Sequence, residues 1–291
     1  MKRLYFFFLF CIGVGVCATP PKWFIQNQNH DMLIGLGSGS DINQAKNNAL
    51  NDLASLIRVD VDSTFSLKQE RQNIALNERA TSELQLKVAD VELVGVEVLN
   101  AEAIDGIYYV KMGIRKDLFL SQIHQKLERI LEKVSLDHFK KCSFLDLKSF
   151  LELKELFKKL EPKIKTFNAL SQQAFFNPKL EKLKNIYSKN MPKPQANFMA
   201  QNLDLILQNS LAKEFSKFVF INQKPLDSAS HILLQGQSFG DKSVLNVSIT
   251  DCSGVVIFQD QLEFDSRNSL KRANFIIFKR IRDWIGNLPV D

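Results

Sequence analysis

Side chains that hold metals, and aromatic rings with a polar handle, are scarce in this 291-residue sequence: four histidines, four cysteines, two tryptophans and four tyrosines. The histidines (His30, His124, His138, His231) are scattered. Only His138 and Cys142 stand at the i, i+4 spacing that puts two ligands on one helix face, and a structural zinc site needs four. No metal is therefore expected. There is no apolar run of the roughly 20 residues that a membrane-spanning helix requires. No nucleophile elbow or Ser/His/Asp arrangement can be singled out. The glycines at 35, 37 and 39 are not followed by the Lys-Ser/Thr pair of a phosphate-binding loop, and their GxGxG spacing is not that of a dinucleotide fingerprint. Neither a catalytic residue nor a cofactor site is expected, and those glycines are read as sources of backbone freedom.

What is abundant is phenylalanine, 23 residues, which adds apolar area for cores without adding hydrogen-bonding groups. The formal charge of +6 is uneven. Residues 121–195 carry 16 basic and 8 acidic side chains, residues 19–120 carry 10 and 14, and residues 196–291 carry 10 of each. The basic character belongs to the middle of the chain.

Residues 1–18 begin with Lys2 and Arg3, continue through an apolar run from Leu4 to Val16, and end on small residues. That is the pattern of a secretory signal peptide. Val16 and Ala18 suit the −3 and −1 positions of its cleavage site, so Thr19 is expected to begin the mature chain. Cys17 invites comparison with the acylated cysteine of bacterial lipoproteins, but Val16 occupies the place where such a site needs a small residue. Export leaves Cys142 and Cys252 in a compartment where disulfides form. Pairing cannot be deduced from sequence, and two separate thiols are the expectation.

Residues 19–117 read as an α+β domain. Pro20-Pro21-Lys22-Trp23 is a stiff extended lead with Trp23 as its anchor. A short apolar strand from Leu33 runs into a glycine and serine turn, and Ser40 or Asp41 caps the helix that follows. Ala45, Ala49, Leu53, Leu56 and Ile57 form its buried stripe, with small residues for close approach to a sheet. Residues 58–65 alternate (Val59, Val61 against Asp60, Asp62) as a half-buried strand does. Residues 69–87 are polar with a weak helical stripe. Residues 91–99 alternate again, Ile104-Asp105-Gly106 makes a turn, and residues 108–114 return antiparallel.

Pro21-Lys22-Trp23, Gly35-Leu36-Gly37, the helix with Ala45, Ala49 and Ala54, and the Val59/Val61 strand together resemble the Helicobacter-type 20-kilodalton surface lipoprotein family, over roughly residues 23–118. The resemblance implies an exported, envelope-associated or secreted protein of an epsilonproteobacterium, with no catalytic residues to carry over. The extra length and the Val16-Cys17 site depart from that family.

Residues 118–194 read as a basic helical hairpin or three-helix bundle. Leu118, Ile123, Leu127, Ile130, Leu131 and Val134 mark one helix, residues 144–160 a strongly amphipathic second that Pro162 ends or kinks, and residues 164–176 and 178–187 continue the pattern. The lysines are read as a solvated face, with contact to an anionic lipid or glycan surface as the functional alternative. Residues 195–291 form a second α+β domain: a helix over 197–215, strands at 218–221, 232–236, 244–250 and 255–264 joined by turns at 239–242 and 251–254, and a last helix over 270–288. Val244, Asn246 and Ser248 alternate with Leu245, Val247 and Ile249, so one sheet face is apolar. This element order resembles small periplasmic domains such as the N-terminal domain of the Tol-complex propeller protein and penicillin-binding-protein activator lipoproteins, which implies protein–protein contact.

The expected fold is thus α+β, two small sandwich domains separated by helices. The expected role is that of an exported, non-enzymatic envelope or secreted protein, a surface antigen or protein–protein interaction module. A lipid- or glycan-surface binder acting through 118–194 and an enzyme with a noncontiguous site are the alternatives. Expected partners are envelope or host proteins, with peripheral membrane contact and dimerisation through a sheet edge as further options, and no nucleic acid. Secretion, the periplasm and the outer membrane all fit the targeting segment.

Overall fold

A strand with glycine at every second position presents one face without side chains, and a helix with alanines at matching steps can press its backbone against it. Gly35, Gly37 and Gly39 do this in β1 (Met32–Gly39), where Cβ atoms would run into the backbone of Ala45 and Ala49 and into Leu53. These glycines belong to the strand and have ordinary φ angles; among the described residues those with positive φ are Gly95, Gly106 and Gly254. The expected glycine turn is therefore corrected to a close-packed strand: close approach, not backbone freedom, is what excludes a side chain.

The computed structural model describes residues 19–25, 31–69, 87–88, 91–92, 94–239, 242–264 and 273–286. The targeting segment with Cys17, His30, nearly all of the polar stretch 69–87, the tip of the 239–242 turn, and both ends of the last expected helix lie outside the described residues. The chain is α+β and groups into two compact units, residues 1–123 with 166–172 and residues 124–165 with 173–291.

In the first unit a short helix, α1 (Lys22–Ile25), stands where an extended lead is expected. Its Phe24 ring packs edge-on against Tyr109 at 5.1 Å, and the Trp23 indole N–H donates to Glu102 at 3.0 Å, so Trp23 does act as an anchor. Helix α2 (Ile42–Gln69) begins at Asp41, whose carboxylate accepts from the Asn43 and Gln44 N–H groups. It buries Ala45, Ala49, Leu53 and Ile57 as expected, but Leu56, expected in the same stripe, is 38% exposed and Ala54 is buried instead; Val110 and Met112 complete the cluster with Ala45 and Ala49. The strand expected over 58–65 is helix instead. With no Gly, Pro or Asn after Ile57 to break it, α2 propagates at one hydrogen bond per residue.

β2 (Lys87–Val88) pairs with β3 (Val91–Glu92). The strand expected over 91–99 is divided by Gly95 at φ 84°, and the sheet strand proper is β4 (Glu97–Ile104). Asp105 and Gly106, both at positive φ, form the two-residue turn into β5 (Ile107–Arg115), as Asp-Gly between alternating strands predicts. The sheet order is β1-β5-β4, all antiparallel.

α3 (Lys116–Glu132) follows directly, burying Phe119, Ile123, Leu127 and Leu131 at four-residue steps. The division between the two units falls within α3 and within α4 (Leu147–Ser171). α4 continues through Pro162, which does not end it. Beside the proline, the buried Lys163 ammonium donates to the Lys159 carbonyl at 3.1 Å. In the second unit a 3-10 turn (His138–Lys140) precedes α4, and α5 (Pro178–Lys189) is capped by Asn177. The Asn177 amide also reaches Glu128 on α3, while Tyr187 stacks on Phe150 at 5.1 Å.

The helix expected over 197–215 is a strand followed by a helix: β6 (Gln195–Gln201), then α6 (Leu205–Phe215). Asp204 fixes the boundary by accepting the Leu207 N–H at 2.9 Å. The parallel pairing of β6 with β8 (Ser230–Phe239), beyond the short β7 (Phe220–Ile221), overrides its helical spacing. β9 (Lys242–Thr250) and β10 (Val256–Phe264) extend the sheet to the order β10-β9-β8-β6-β7. Its apolar face (Ile232, Leu234, Leu245, Val247, Ile249, Leu262) is covered by α6 and by α7 (Ala273–Gly286) through Leu211, Phe215, Ile277 and Ile281.

Candidate functional site

Two places gather groups with something to offer a partner. The first is the edge of β4. Its neighbour on one side is β5, and among the described residues no strand pairs with the other side. Counting outward from the Asp105-Gly106 turn, Ile104, Glu102 and Asn100 face Ile107, Tyr109 and Lys111 as the hydrogen-bonded pairs of the ladder. Ala103 and Ala101 between them therefore aim their N–H and C=O groups outward. The side chains of β4 are exposed almost throughout, and Val98 is 44% exposed.

The opposite edge, β1, is closed by its own helix. Asp52 accepts the Leu36 N–H at 2.8 Å, and the Asn48 amide donates to the Ser38 carbonyl at 2.8 Å. Side chains of α2 have taken the pairing positions that a foreign strand would need. Of the two edges, β4 is the one left open among the described residues.

The second place lies in the other unit. Cys142 and Cys252 form a disulfide with Cα atoms 6.0 Å apart, which corrects the expectation of two separate thiols. Spacing could not reveal this, because the partners are 110 residues apart. The bond ties the β9–β10 turn to the segment between the 3-10 turn and α4. Asp251 shapes that turn: one carboxylate oxygen accepts from the Ser253 N–H, the Ser253 hydroxyl and the Val255 N–H, at 2.9, 2.7 and 2.9 Å. Burial pushes its pKa up, but those hydrogen bonds and the Lys141 charge outweigh burial and hold it below the usual 3.8. Beside the disulfide opens a cavity of about 250 Å³ lined by Phe139, Lys141, Phe144, Lys148, Asp251 and Val256 among others. At its rim Val255 and Val256 are 59% and 51% exposed.

The pair His138 and Cys142 is not a ligand pair: the cysteine is oxidised, and the imidazole Nε2 stands 2.9 Å from Glu152. His231 meets Asn197 at 3.4 Å and His124 packs edge-on against Phe175. Among the described residues no group of three His, Cys, Asp or Glu side chains could hold a metal ion. Glu97 is exposed on β4, while the side chains of Asp60, Asp62 and Glu92 lie outside the described residues. Four helical lysines pair with glutamates of their own helices: Lys148 with Glu152, Lys158 with Glu155, Lys165 with Glu161 and Lys184 with Glu181. Exposed i, i+3 and i, i+4 pairs of this kind are what a solvated helix face carries. No described helix is long and apolar enough to cross a membrane.

Comparison with known proteins agrees with the N-terminal resemblance. Residues 21–115 match the LPP20 lipoprotein family, which covers α1 through β5 and thus the whole three-stranded sheet with its helix. No curated protein matches the chain. Over 87% of its length the fold is similar to the crystal structure of the secreted protein HP1454 from Helicobacter pylori, with a TM-score of 0.54, 22% identity and 97% of that chain covered. The lipoprotein-family match and the targeting pattern of residues 1–18 both speak for an exported or envelope-associated protein.

Proposed function

We propose that this chain, whose N-terminal domain matches the LPP20 lipoprotein family, is an exported, non-enzymatic interaction module that adds an extended segment of another envelope or secreted protein to the edge of β4. The observation that carries the reading is the asymmetry between the two sheet edges. α2 spends Asp52 and Asn48 on closing β1, whereas Ala101 and Ala103 keep outward-facing backbone groups on β4. Natural sheets cap, charge or bend their edges. An edge strand with small side chains beside the free backbone groups suits a strand-adding partner. The secreted character of a protein with a similar fold and the chain's own targeting pattern support a partner met outside the cytoplasm. Display at the cell surface, and hence an antigen role, belongs to the same reading.

The test uses the mature chain and its Ala103→Pro variant. Proline removes the outward N–H and leaves the β4–β5 ladder bonds at Ile104 and Glu102 in place. The wild-type chain should retain a protein from envelope or culture fractions that the variant does not. In that complex the amides of Ala101 and Ala103 should become protected from hydrogen exchange. Equal retention by both chains, or no change in exchange at these two amides, would sink the reading.

A further inference from the structure

The five-stranded sheet of the second unit has its apolar face under α6 and α7. The other face has an unusual composition for a chain in which 24% of residues are charged. The register brings Gln201 of β6 opposite Gln235 of β8, Gln235 opposite Asn246 of β9, and Asn246 opposite Gln261 of β10. Four amide side chains thus form one row across four strands, about 4.8 Å from one to the next. The next row is Met199, Leu233, Ser248 and Gln259. Lys242, at the start of β9, and Glu263, at the end of β10, are the formally charged groups that these two strands contribute to this face, one of each sign and both beyond the amide row.

From this row we infer a binding platform for a neutral, hydroxyl- or N-acetyl-bearing oligosaccharide. The inference is independent of the β4 edge. Each carboxamide offers two N–H donors and a carbonyl acceptor. It therefore complements a sugar hydroxyl, which both donates and accepts, in a way that neither an ammonium (donor only) nor a carboxylate (acceptor only) can. An acetamido group is matched for the same reason.

The row is only partly consumed by the fold: the Gln261 amide donates to the Glu263 carboxylate at 3.4 Å, which leaves its carbonyl oxygen. The Gln235 amide donates to the Gln201 carbonyl oxygen at 3.0 Å, which aligns those two and leaves the Gln201 N–H groups and the Gln235 oxygen to point elsewhere. The Asn246 side chain has no partner among the described residues. Gln201 and Gln261 are exposed, and Gln235 and Asn246 half-buried. Met199, 44% exposed, and Leu233 in the adjacent row supply an apolar strip against which the C–H face of a sugar ring can lie. The amide row and the row beside it carry no charge, and the single Lys242 at the end of the face is matched by Glu263, which argues against nucleic acid and anionic lipid, since these bind by salt-sensitive attraction to clustered cations.

The test is titration of the full disulfide-bonded chain with chitohexaose (neutral, N-acetylated) and with cellohexaose (neutral, unacetylated), followed by calorimetry and backbone amide shifts. Saturable binding of one of them is expected, with shifts confined to β6, β8, β9 and β10 and an affinity unchanged between low and high salt. Asn246→Ala and the near-isosteric Asn246→Asp should each weaken it at least tenfold while the thermal midpoint stays within a few degrees of wild type. The inference is overturned if neither sugar binds at millimolar concentration, or if both variants bind as wild type does. It is equally overturned if only sulfated oligosaccharides bind and salt abolishes that binding. Loss of stability in both variants without any saccharide binding by the wild type would instead make the row a structural ladder.

Discussion

Gly37 lies so close under α2 that a Cβ atom there would overlap both the Ala49 amide nitrogen and the Ala45 carbonyl oxygen. The obstructing atoms are helix backbone, so no rotamer change relieves them. Overpacking of this kind costs about 3 kcal/mol. Gly37→Ala is accordingly expected to lower the urea midpoint markedly. Gly106→Ala offers a contrast: its Cβ meets nothing within 4 Å, but its φ is 80°, so the cost is the left-handed conformation alone, about 1 kcal/mol. If the two variants unfold at the same urea concentration, the close-approach account of Gly37 fails.

The Cys142–Cys252 bond closes a loop of 110 residues, which in the chain-entropy description corresponds to a stabilisation of about 5 kcal/mol. Reduction, or Cys252→Ser, is expected to lower the thermal midpoint. Amides of the β9–β10 turn and of the segment leading into α4 should lose exchange protection first, since the bond is what ties them together. A reduced chain with an unchanged melting curve would show that the bond does not carry this stability.

Much of this fold was readable from local chemistry. Asp105-Gly106 announced its hairpin, Asp41 its cap, and the alanine-spaced stripe of α2 its buried face, because each depends on residues a few positions apart. Two of the errors share one cause. Residues 58–65 alternate like a strand and residues 197–201 are spaced like the first turn of a helix, yet continuity of α2 in one case and parallel pairing with β8 in the other decide the outcome. The disulfide, the closing of the β1 edge by Asp52 and Asn48, and the row of Gln201, Gln235, Asn246 and Gln261 all depend on register between distant segments. That register is absent from any single window of sequence. The outward pair Ala101 and Ala103 was within reach, since the two-residue turn fixes the alternation from Ile104 backward.

Asn197 shows how a polar side chain can hold a buried joint. It is 2% exposed, and its carboxamide donates to the Leu226 carbonyl at 2.8 Å while accepting from the Leu226 N–H at 2.9 Å and the Asn222 amide at 3.1 Å. These bonds fasten the segment after β7 to β6. Asn197→Leu keeps the size but leaves the Leu226 groups unpaired, at a cost of about 1–3 kcal/mol. The checkable outcome is a lowered urea midpoint with an unchanged m-value. Asn197→Asp should restore the accepting half and recover only part of the loss.

Asp251 gives the acid limb of the stability curve a specific origin. Its folded pKa lies below the usual 3.8, because three hydrogen bonds and Lys141 outweigh the opposing effect of burial. Between the folded value and 3.8 the unfolded chain binds the proton that the folded chain refuses, so stability rises with pH across that window. The contribution is complete above 3.8 and is lost as pH falls through the folded value. All three hydrogen bonds end on the same carboxylate oxygen, and asparagine supplies an oxygen in the same place. Asp251→Asn is therefore expected to fold and to keep the turn, while removing the charge that titrates. Thermal midpoints of the two chains, measured from neutral pH down to about pH 2, should differ by a constant above pH 5 and converge below 3.8. A difference that stays constant through the acid range would mean that Asp251 is not the group responsible.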